Sequence, residues 1–145
     1  MRFDFGYKQM RRPAGLPPIS APIIPITLSG SGGSLHTTAL VDSGADTSAI
    51  TADVAEVLGL DISGEPSKAQ GIGGEVKVVG SRMTVVIKGR REQDSFILPV
   101  QAIMEKTLAG FPILLGRRGF FDRYEITFMP REKKMVLKRR LEGDG

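Results

Sequence analysis

Short runs of β-branched and apolar residues, each ended by glycine or another turn-forming residue, recur along most of this 145-residue chain. The clearest pair is residues 23–29 and 35–42, which flank the segment Gly30-Ser31-Gly32-Gly33. Two such runs around a glycine-rich turn predict a β-hairpin. Similar runs occupy residues 76–79, 83–87, 95–100, 101–104, 111–115, 124–128 and 134–138. Many short strands at close spacing form barrels or sandwiches, so the sequence predicts an all-β fold.

Two short helical segments are predicted between these strands. Residues 52–58 carry apolar side chains at helical spacing, and Thr51 before them and Gly59 after them are residues that cap and end helices. We expect a single helical turn at residues 118–122 and a loop at residues 61–69.

The first 22 residues differ in composition from the rest of the chain. They contain prolines at positions 13, 17, 18 and 22. Proline fixes φ and lacks a backbone donor, so we expect an extended arm rather than a core strand. The predicted organisation is therefore an arm at residues 1–22, a central domain at 23–128, and a C-terminal hairpin strand with a basic tail at 129–145.

The composition excludes several classes of site. The chain has no Cys and a single His, His36, which excludes disulfides and thiolate metal sites and nearly rules out a Ser-His-Asp triad or a histidine-rich zinc site. We therefore expect no metal and no cofactor. No apolar run approaches the ~18 residues of a membrane helix, so no membrane partner is expected. The absence of Cys fits a cytoplasmic location.

Basic residues are concentrated near the C-terminus, although the net charge of the whole chain is only +4. Such a tail could touch nucleic acid or an acidic partner. A solvated hairpin with a charged end explains it more simply, and we do not expect nucleic acid to be a partner.

Three segments carry residues suited to chemistry. Asp42-Ser43-Gly44-Ala45-Asp46-Thr47 places an acid directly after a predicted buried strand, although Asp-Ser-Gly alone is also an ordinary turn. Gly71-Ile72-Gly73-Gly74 predicts a flexible hairpin tip that could close over a ligand. Residues 111–115 form an apolar run followed by Gly116 and by Arg117, whose planar guanidinium could pair with a carboxylate.

In this order and spacing, the three segments resemble the retropepsin family, the single-domain aspartic proteases related to the retroviral protease. The resemblance covers roughly residues 23–128, and residues 42–45 match the family's active-site motif D-[ST]-G-A. It implies a closed β-barrel with a flap hairpin and one short C-terminal helix, active as a two-fold dimer.

The resemblance also implies roles for individual residues. Asp42 would be the catalytic aspartate, and Ser43 would bridge the active-site turns of the two subunits. Asp46 would pair with Arg117 and touch the substrate backbone. The other implied substrate contacts come from the active-site turn and the flap, namely Gly44, Ala45, Gly71, Ile72, Gly73 and Gly74.

The function implied is hydrolysis of peptide bonds by water that an Asp42 pair activates in a homodimer, with peptides or unfolded proteins as substrates. The alternative is a non-catalytic dimeric module of the same fold that binds peptides without cutting them. We expect Ile72, Val86, Ile113 and Leu115 to line the groove in either case. Whether residues 1–22 are a propeptide, a dimer strand or a disordered lead stays open at this point.

Overall fold

The computed structural model describes residues 1–12, 15–71, 74–106 and 110–141 of the chain. Within these residues the chain forms β1 Arg2–Gly6, β2 Lys8–Met10, β3 Ile19–Ala21, β4 Ile23–Gly30, β5 Gly33–Val41, β6 Ser48–Thr51, α1 Ala52–Leu58, β7 Ser67–Gly71, β8 Gly74–Lys88, β9 Gln93–Ile103, β10 Ile113–Leu115, a wide turn at Arg117–Phe121, β11 Tyr124–Met129 and β12 Lys134–Arg139. No helix of this described part has the length and apolar character needed to cross a membrane.

The described strands form three sheets, of which the largest has seven strands. Its strand order is β4-β5-β10-β6-β9-β8-β7, and β4 also pairs with β8, so the pairings lead from β4 round to β8 and back to β4. β10 is parallel to β5, and β6 is parallel to β9. The second sheet is β1-β12-β11 and the third is β2-β3. The prediction of a mostly β-stranded fold is therefore confirmed.

The local predictions for the first hairpin and the helix hold in most details. β4 and β5 pair antiparallel around the glycine-rich turn, up to Gly30 opposite Gly33. α1 has the predicted bounds, and Gly59 ends it in the left-handed conformation at φ 66°. Thr51 occupies the predicted N-cap position in an extended conformation, but its side chain makes no capping hydrogen bond.

One hydrophobic core holds the first and second sheets together. Side chains alternate in and out along the strands, as a period of two requires, and Leu28 and Leu98 are fully buried. The ring of Tyr124, in the second sheet, packs against Phe96 of β9 in the largest sheet at a centroid distance of 5.9 Å and against Phe120 at 5.2 Å. Each fully buried side chain of this size contributes about 1.5–3 kcal/mol. The aromatic contacts therefore fasten the second sheet firmly onto the first.

The prediction that residues 1–22 contribute no core strand is wrong for residues 2–6. β1 pairs antiparallel with β12 along its whole length, and the Phe3 side chain is only 1% exposed. The prolines of this region all follow residue 12, so the first residues are free to pair. Their alternation of Phe3 and Phe5 with polar residues is a strand pattern. The division of the chain at residues 22 and 128 stays a prediction.

The helix expected after Gly116 is not a regular one. Arg117–Phe121 forms a single wide turn in which Arg118 (φ −68°, ψ 119°) and Gly119 (φ 85°, ψ −38°) have non-helical angles. Glycine adopts a positive φ at little cost, so Gly119 lets the chain bend here instead of continuing as a helix. Two further predictions are corrected, because residues 67–71 are strand β7 rather than loop, and residues 76–79 and 83–87 belong to one strand, β8.

A buried acid, Asp94, joins β9 to the second sheet. Its carboxylate accepts hydrogen bonds from Arg123 Nε at 2.9 Å and Arg123 Nη2 at 2.8 Å, and another from the Tyr124 hydroxyl. Arg139 Nε lies 3.8 Å from the same carboxylate. Burial by itself raises the pKa of Asp94, but the hydrogen bonds from Arg123 and Tyr124 and the charges of Arg123 and Arg139 outweigh it, so the pKa lies below its ordinary value of 3.8.

We expect Asp94→Asn to lower the free energy of unfolding by about 2 kcal/mol at neutral pH, since Arg123 would lose its buried carboxylate partner. Because the pKa of Asp94 is lower in the folded state, the carboxylate stabilises the fold fully above the ordinary value of 3.8 and loses this effect as the pH falls through the folded-state pKa. Urea unfolding at several pH values should show a constant difference between wild type and variant above about pH 5 and a shrinking one in acid.

Asp4→Asn is the matched control for this prediction. Asp4 pairs with Arg2 at 3.0 Å, but the two side chains are 63% and 58% exposed. Exposed pairs contribute little, so the control should change the unfolding free energy by less than about 0.5 kcal/mol. An equal loss of unfolding free energy in the two variants would contradict a stabilising role of the Asp94 carboxylate. A loss in Asp94→Asn that does not depend on pH would contradict it as well.

Candidate active site

Two parallel strands end side by side and bring Asp42 next to Gly116. β5 and β10 pair in parallel up to Leu115 opposite Val41, so the residues that follow leave the sheet at the same edge. The Asp42 N–H donates a hydrogen bond to the Leu115 carbonyl at 3.0 Å, which extends the contact by one residue. The backbone of Asp42 is therefore fixed on the end of a rigid strand.

The acid loop, residues 42–47, holds the Asp42 carboxylate in one orientation. Asp42 Oδ1 accepts a hydrogen bond from the Gly44 N–H at 2.9 Å, and the Ala45 N–H donates to the Asp42 carbonyl at 3.2 Å. This is the turn that aspartate forms with the backbone two residues on. The Asp42 side chain is partly buried and faces a cavity, so its carboxylate is both oriented and accessible.

The residues directly after β10 hold the acid loop through backbone hydrogen bonds. The Arg117 N–H donates to the Ala45 carbonyl at 2.8 Å, and the Arg118 N–H donates to the Asp46 carbonyl at 2.9 Å. Each such bond stabilises by about 0.5–1.5 kcal/mol, but together they also fix the loop's position relative to β10.

Position 116 requires glycine because the chain after β10 lies so close to the acid loop. Its N–H donates to the buried Ser48 hydroxyl at 3.0 Å. A Cβ at Gly116 would lie 2.5 Å from the Thr47 carbonyl oxygen and 2.9 Å from the Ala45 carbonyl oxygen, closer than side-chain carbons approach backbone oxygens. Its φ of −103° is open to any residue, so the constraint is steric.

The Arg117 side chain forms an ion pair with the Asp46 carboxylate across the mouth of the loop. The two side chains are 60% and 84% exposed. A pair this exposed contributes less than about 1 kcal/mol to stability. Its effect is therefore to orient Asp46 and to neutralise its charge beside Asp42.

The acid cavity, which opens over the acid loop, has a volume of about 710 Å³. Asp42 and Gly44 lie on one side of it, Gln70 and Val76 of the β7–β8 hairpin lie on another, and Leu114 of β10 completes the wall. The volume is in the range of ligand-binding clefts, and the wall combines apolar side chains with several polar and charged ones. The arrangement can hold a small ligand or a few residues of an extended chain against the Asp42 carboxylate.

Four residues predicted for the site line this cavity, namely Asp42, Gly44, Ala45 and Asp46. Ser43 is exposed on the same loop and is not part of the cavity wall as far as the chain is described. Gly71 and Gly74 pair with each other at the end of the β7–β8 hairpin. Ile72 and Gly73, the predicted flap tip, lie outside the described residues.

The predicted groove lining is wrong by one residue in β10. Ile113 and Leu115 point into the core, and Leu114 between them faces the cavity. Because side chains alternate along a strand, a shift of one residue exchanges the two faces. Val86 lies where β8 pairs with β4 and does not line the cavity within the described chain. Arg118 does line the cavity, although it was not predicted as a site residue.

Comparisons with known proteins agree with this geometry. A protein-family model described as Aspartyl protease matches residues 24–116, which include the acid loop, the β7–β8 hairpin and β10. A comparison with curated proteins finds no match.

Among solved structures, the chain is similar to a retropepsin-like aspartic protease from Rickettsia conorii, with a TM-score of 0.59 and 17% identity over 94% of this chain and 98% of that one. It also matches the EIAV protease in complex with the inhibitor HBY-793, with a TM-score of 0.46 and 20% identity over 74% and 88% of the two chains. A third match is the retroviral protease-like domain of Ddi1 from Leishmania major, with a TM-score of 0.45 and 14% identity over 86% and 98%. The Rickettsia match shows that the fold is retropepsin-like.

Proposed function

We propose that this chain, which belongs to the aspartyl protease family, is an endopeptidase that uses Asp42 to activate water for attack on a peptide bond. The observation that carries the proposal is the placement of Asp42. It stands at the end of β5, next to the buried Val41, its carboxylate is oriented by the Gly44 N–H, and it faces the acid cavity. An oriented, accessible carboxylate is what a general base in a cleft requires.

A second carboxylate is needed for this chemistry, and we propose that it is Asp42 of the partner subunit. A two-fold axis beside the acid loop would place two identical carboxyl groups face to face. Two like charges so close cannot both ionise, so the pair shares one proton, as aspartic proteases in general do. The homodimer would thus hold one active site on its axis.

In this arrangement the ionised Asp42 takes a proton from water as the water oxygen bonds to the carbonyl carbon of the peptide. The protonated carboxyl of the other subunit gives its proton to the carbonyl oxygen, which produces a neutral diol. The diol then collapses: the ionised carboxylate takes a proton from one diol hydroxyl, the carbon–nitrogen bond breaks, and the leaving amine takes up the proton that the first Asp42 had received from water. One carboxylate and one carboxylic acid are required at the start of each cycle.

The remaining site residues receive supporting roles in this proposal. Ser43, exposed on the acid loop, would bond to the loop of the partner subunit. Asp46, held by its ion pair with Arg117, would contact the substrate backbone at the edge of the cavity. We further propose that residues 23–128 are the protease domain and that the largest sheet is its closed barrel. In this proposal the β7–β8 hairpin is a flap, and an extended peptide substrate binds beneath it by pairing with it as a β-strand does.

A digest of a peptide library with wild type and Asp42→Asn in parallel tests the proposal. We expect cleavage with wild type and none above background with the variant, which also exposes contaminating proteases. The peptide-binding alternative predicts that library peptides bind both proteins and are cut by neither. That result would refute the proposed activity.

A further inference from the structure

A second cavity adjoins the acid cavity and shares part of its wall. This outer cavity has a volume of about 590 Å³. Thr47, Gln101 and Arg118 line both cavities, so the two neighbouring cavities make up a cleft on the β8–β9 side of the acid loop. An extended chain that leaves the Asp42 carboxylate in this direction would place a side chain in the outer cavity, beside Arg118.

Arg118 brings a positive charge to this cleft. Its backbone is held by the hydrogen bond to the Asp46 carbonyl at 2.9 Å. Its side chain is exposed and, in the part of the chain that the structure describes, makes no ion pair or side-chain hydrogen bond. The preceding residue differs in this respect, since the guanidinium of Arg117 is paired with Asp46. A fixed backbone and an unengaged guanidinium suit Arg118 to bind a carboxylate of a ligand through two parallel hydrogen bonds.

The charged residues that line the outer cavity have a net positive charge. Asp61 and Arg82 line it together with Arg118, which gives two cations and one anion. The Asp61 carboxylate already accepts hydrogen bonds from the Ser63 hydroxyl at 2.6 Å and the Ser63 N–H at 3.0 Å. An acidic side chain in the outer cavity would thus meet two guanidinium groups and one carboxylate that is partly satisfied.

We propose that Arg118 makes this cleft select peptides with an acidic side chain at the position that reaches the outer cavity. The inference rests on the proposed protease function and specifies its substrate class. Because each subunit of the two-fold dimer supplies one Arg118, the preference for Glu or Asp occurs on both sides of the scissile bond at the same distance from it.

The test uses pairs of peptides that differ only by Glu or Gln, with that residue moved along the sequence on either side of the cleaved bond. Wild type is expected to cleave the Glu peptide with a kcat/KM about tenfold higher at the matching position, the size of one charge-assisted hydrogen bond. In Arg118→Gln the ratio between the paired peptides should fall to about 2 or less, and Arg118→Glu should favour a Lys peptide over the Glu peptide. Arg131→Gln, in the exposed β11–β12 turn, is the control and should keep the wild-type ratio.

Ratios between paired peptides cancel any general loss of activity in a variant. Cleavage that depends on Asp42 but shows no preference for Glu, or a preference that survives in Arg118→Gln, overturns the inference and leaves the proposed function standing. If no peptide is cut, the proposed function fails. Binding of the same labelled peptides, measured by fluorescence anisotropy, then tests whether Arg118 selects acidic side chains. Tighter binding of Glu peptides to wild type than to Arg118→Gln supports the charge selection, and equal binding refutes it.

Discussion

Asp42→Asn is expected to lower kcat/KM for a cleaved peptide by at least about 10³-fold and to leave the fold intact. The amide cannot accept a proton from the attacking water, so the general base is lost in both halves of the dimer. Its side-chain oxygen can still accept the hydrogen bond from the Gly44 N–H at 2.9 Å, so the acid loop keeps its shape. Steady-state cleavage assays and urea unfolding of the same preparations give the two quantities.

Asp53→Asn is the matched control, since Asp53 is an exposed acid in the first turn of α1. It should keep wild-type activity within about twofold, because a single surface charge contributes little. If Asp42→Asn retained more than a few per cent of wild-type activity, Asp42 would not be the catalytic base. A large loss of stability in the same variant would show that the substitution acts through the fold instead.

Gly116→Ala is expected to have the second largest effect and to act without touching the substrate. The new Cβ would stand 2.5 Å from the Thr47 carbonyl oxygen, so β10 and the acid loop must move apart. Crowding of this kind costs about 2–3 kcal/mol of stability. A catalytic carboxylate displaced by about 1 Å loses on the order of 10²-fold in rate, so kcat/KM should fall by about that factor.

Gly6→Ala isolates the steric cause of that effect. Gly6 lies in β1, and the nearest atom to a Cβ built there is the Lys133 carbonyl oxygen at 4.0 Å. The control should change neither activity nor stability by a measurable amount. If both substitutions were harmless, the close contact of Gly116 with the acid loop would not hold the active site together.

The acid loop and its neighbours were predictable because their signals are local. The hairpin of β4 and β5 follows from two apolar runs around four turn residues, and the position of Asp42 follows from an acid placed directly after a buried run. The order of the acid turn, the glycine-rich hairpin and the Gly116-Arg117 pair added a specific resemblance. These features depend on residues close in sequence, so pattern and turn chemistry suffice to identify them.

The features that the sequence did not reveal depend on contacts between distant segments. β1 is a core strand because it pairs with β12 from the other end of the chain and packs Phe3 against Tyr124 of the same sheet; the local alternation of residues 2–6 indicates a strand but not these partners. Leu114 faces the cavity because the register of β10 against β5 sets which side chains point inward. Arg118 lines the cleft in a segment that is tied to the distant acid loop by the hydrogen bond from the Arg118 N–H to the Asp46 carbonyl. In each case a tertiary pairing outweighs local propensity.

The central claim, one active site built from the Asp42 residues of two subunits, is tested most directly by mixing wild type with Asp42→Asn. After the subunits have exchanged, the activity at constant total protein is measured against the wild-type fraction. If each site needs both aspartates, activity follows the square of that fraction, so an equal mixture retains about one quarter of it. A linear dependence, with half of the activity in the equal mixture, would show that a single chain is sufficient and would contradict the account.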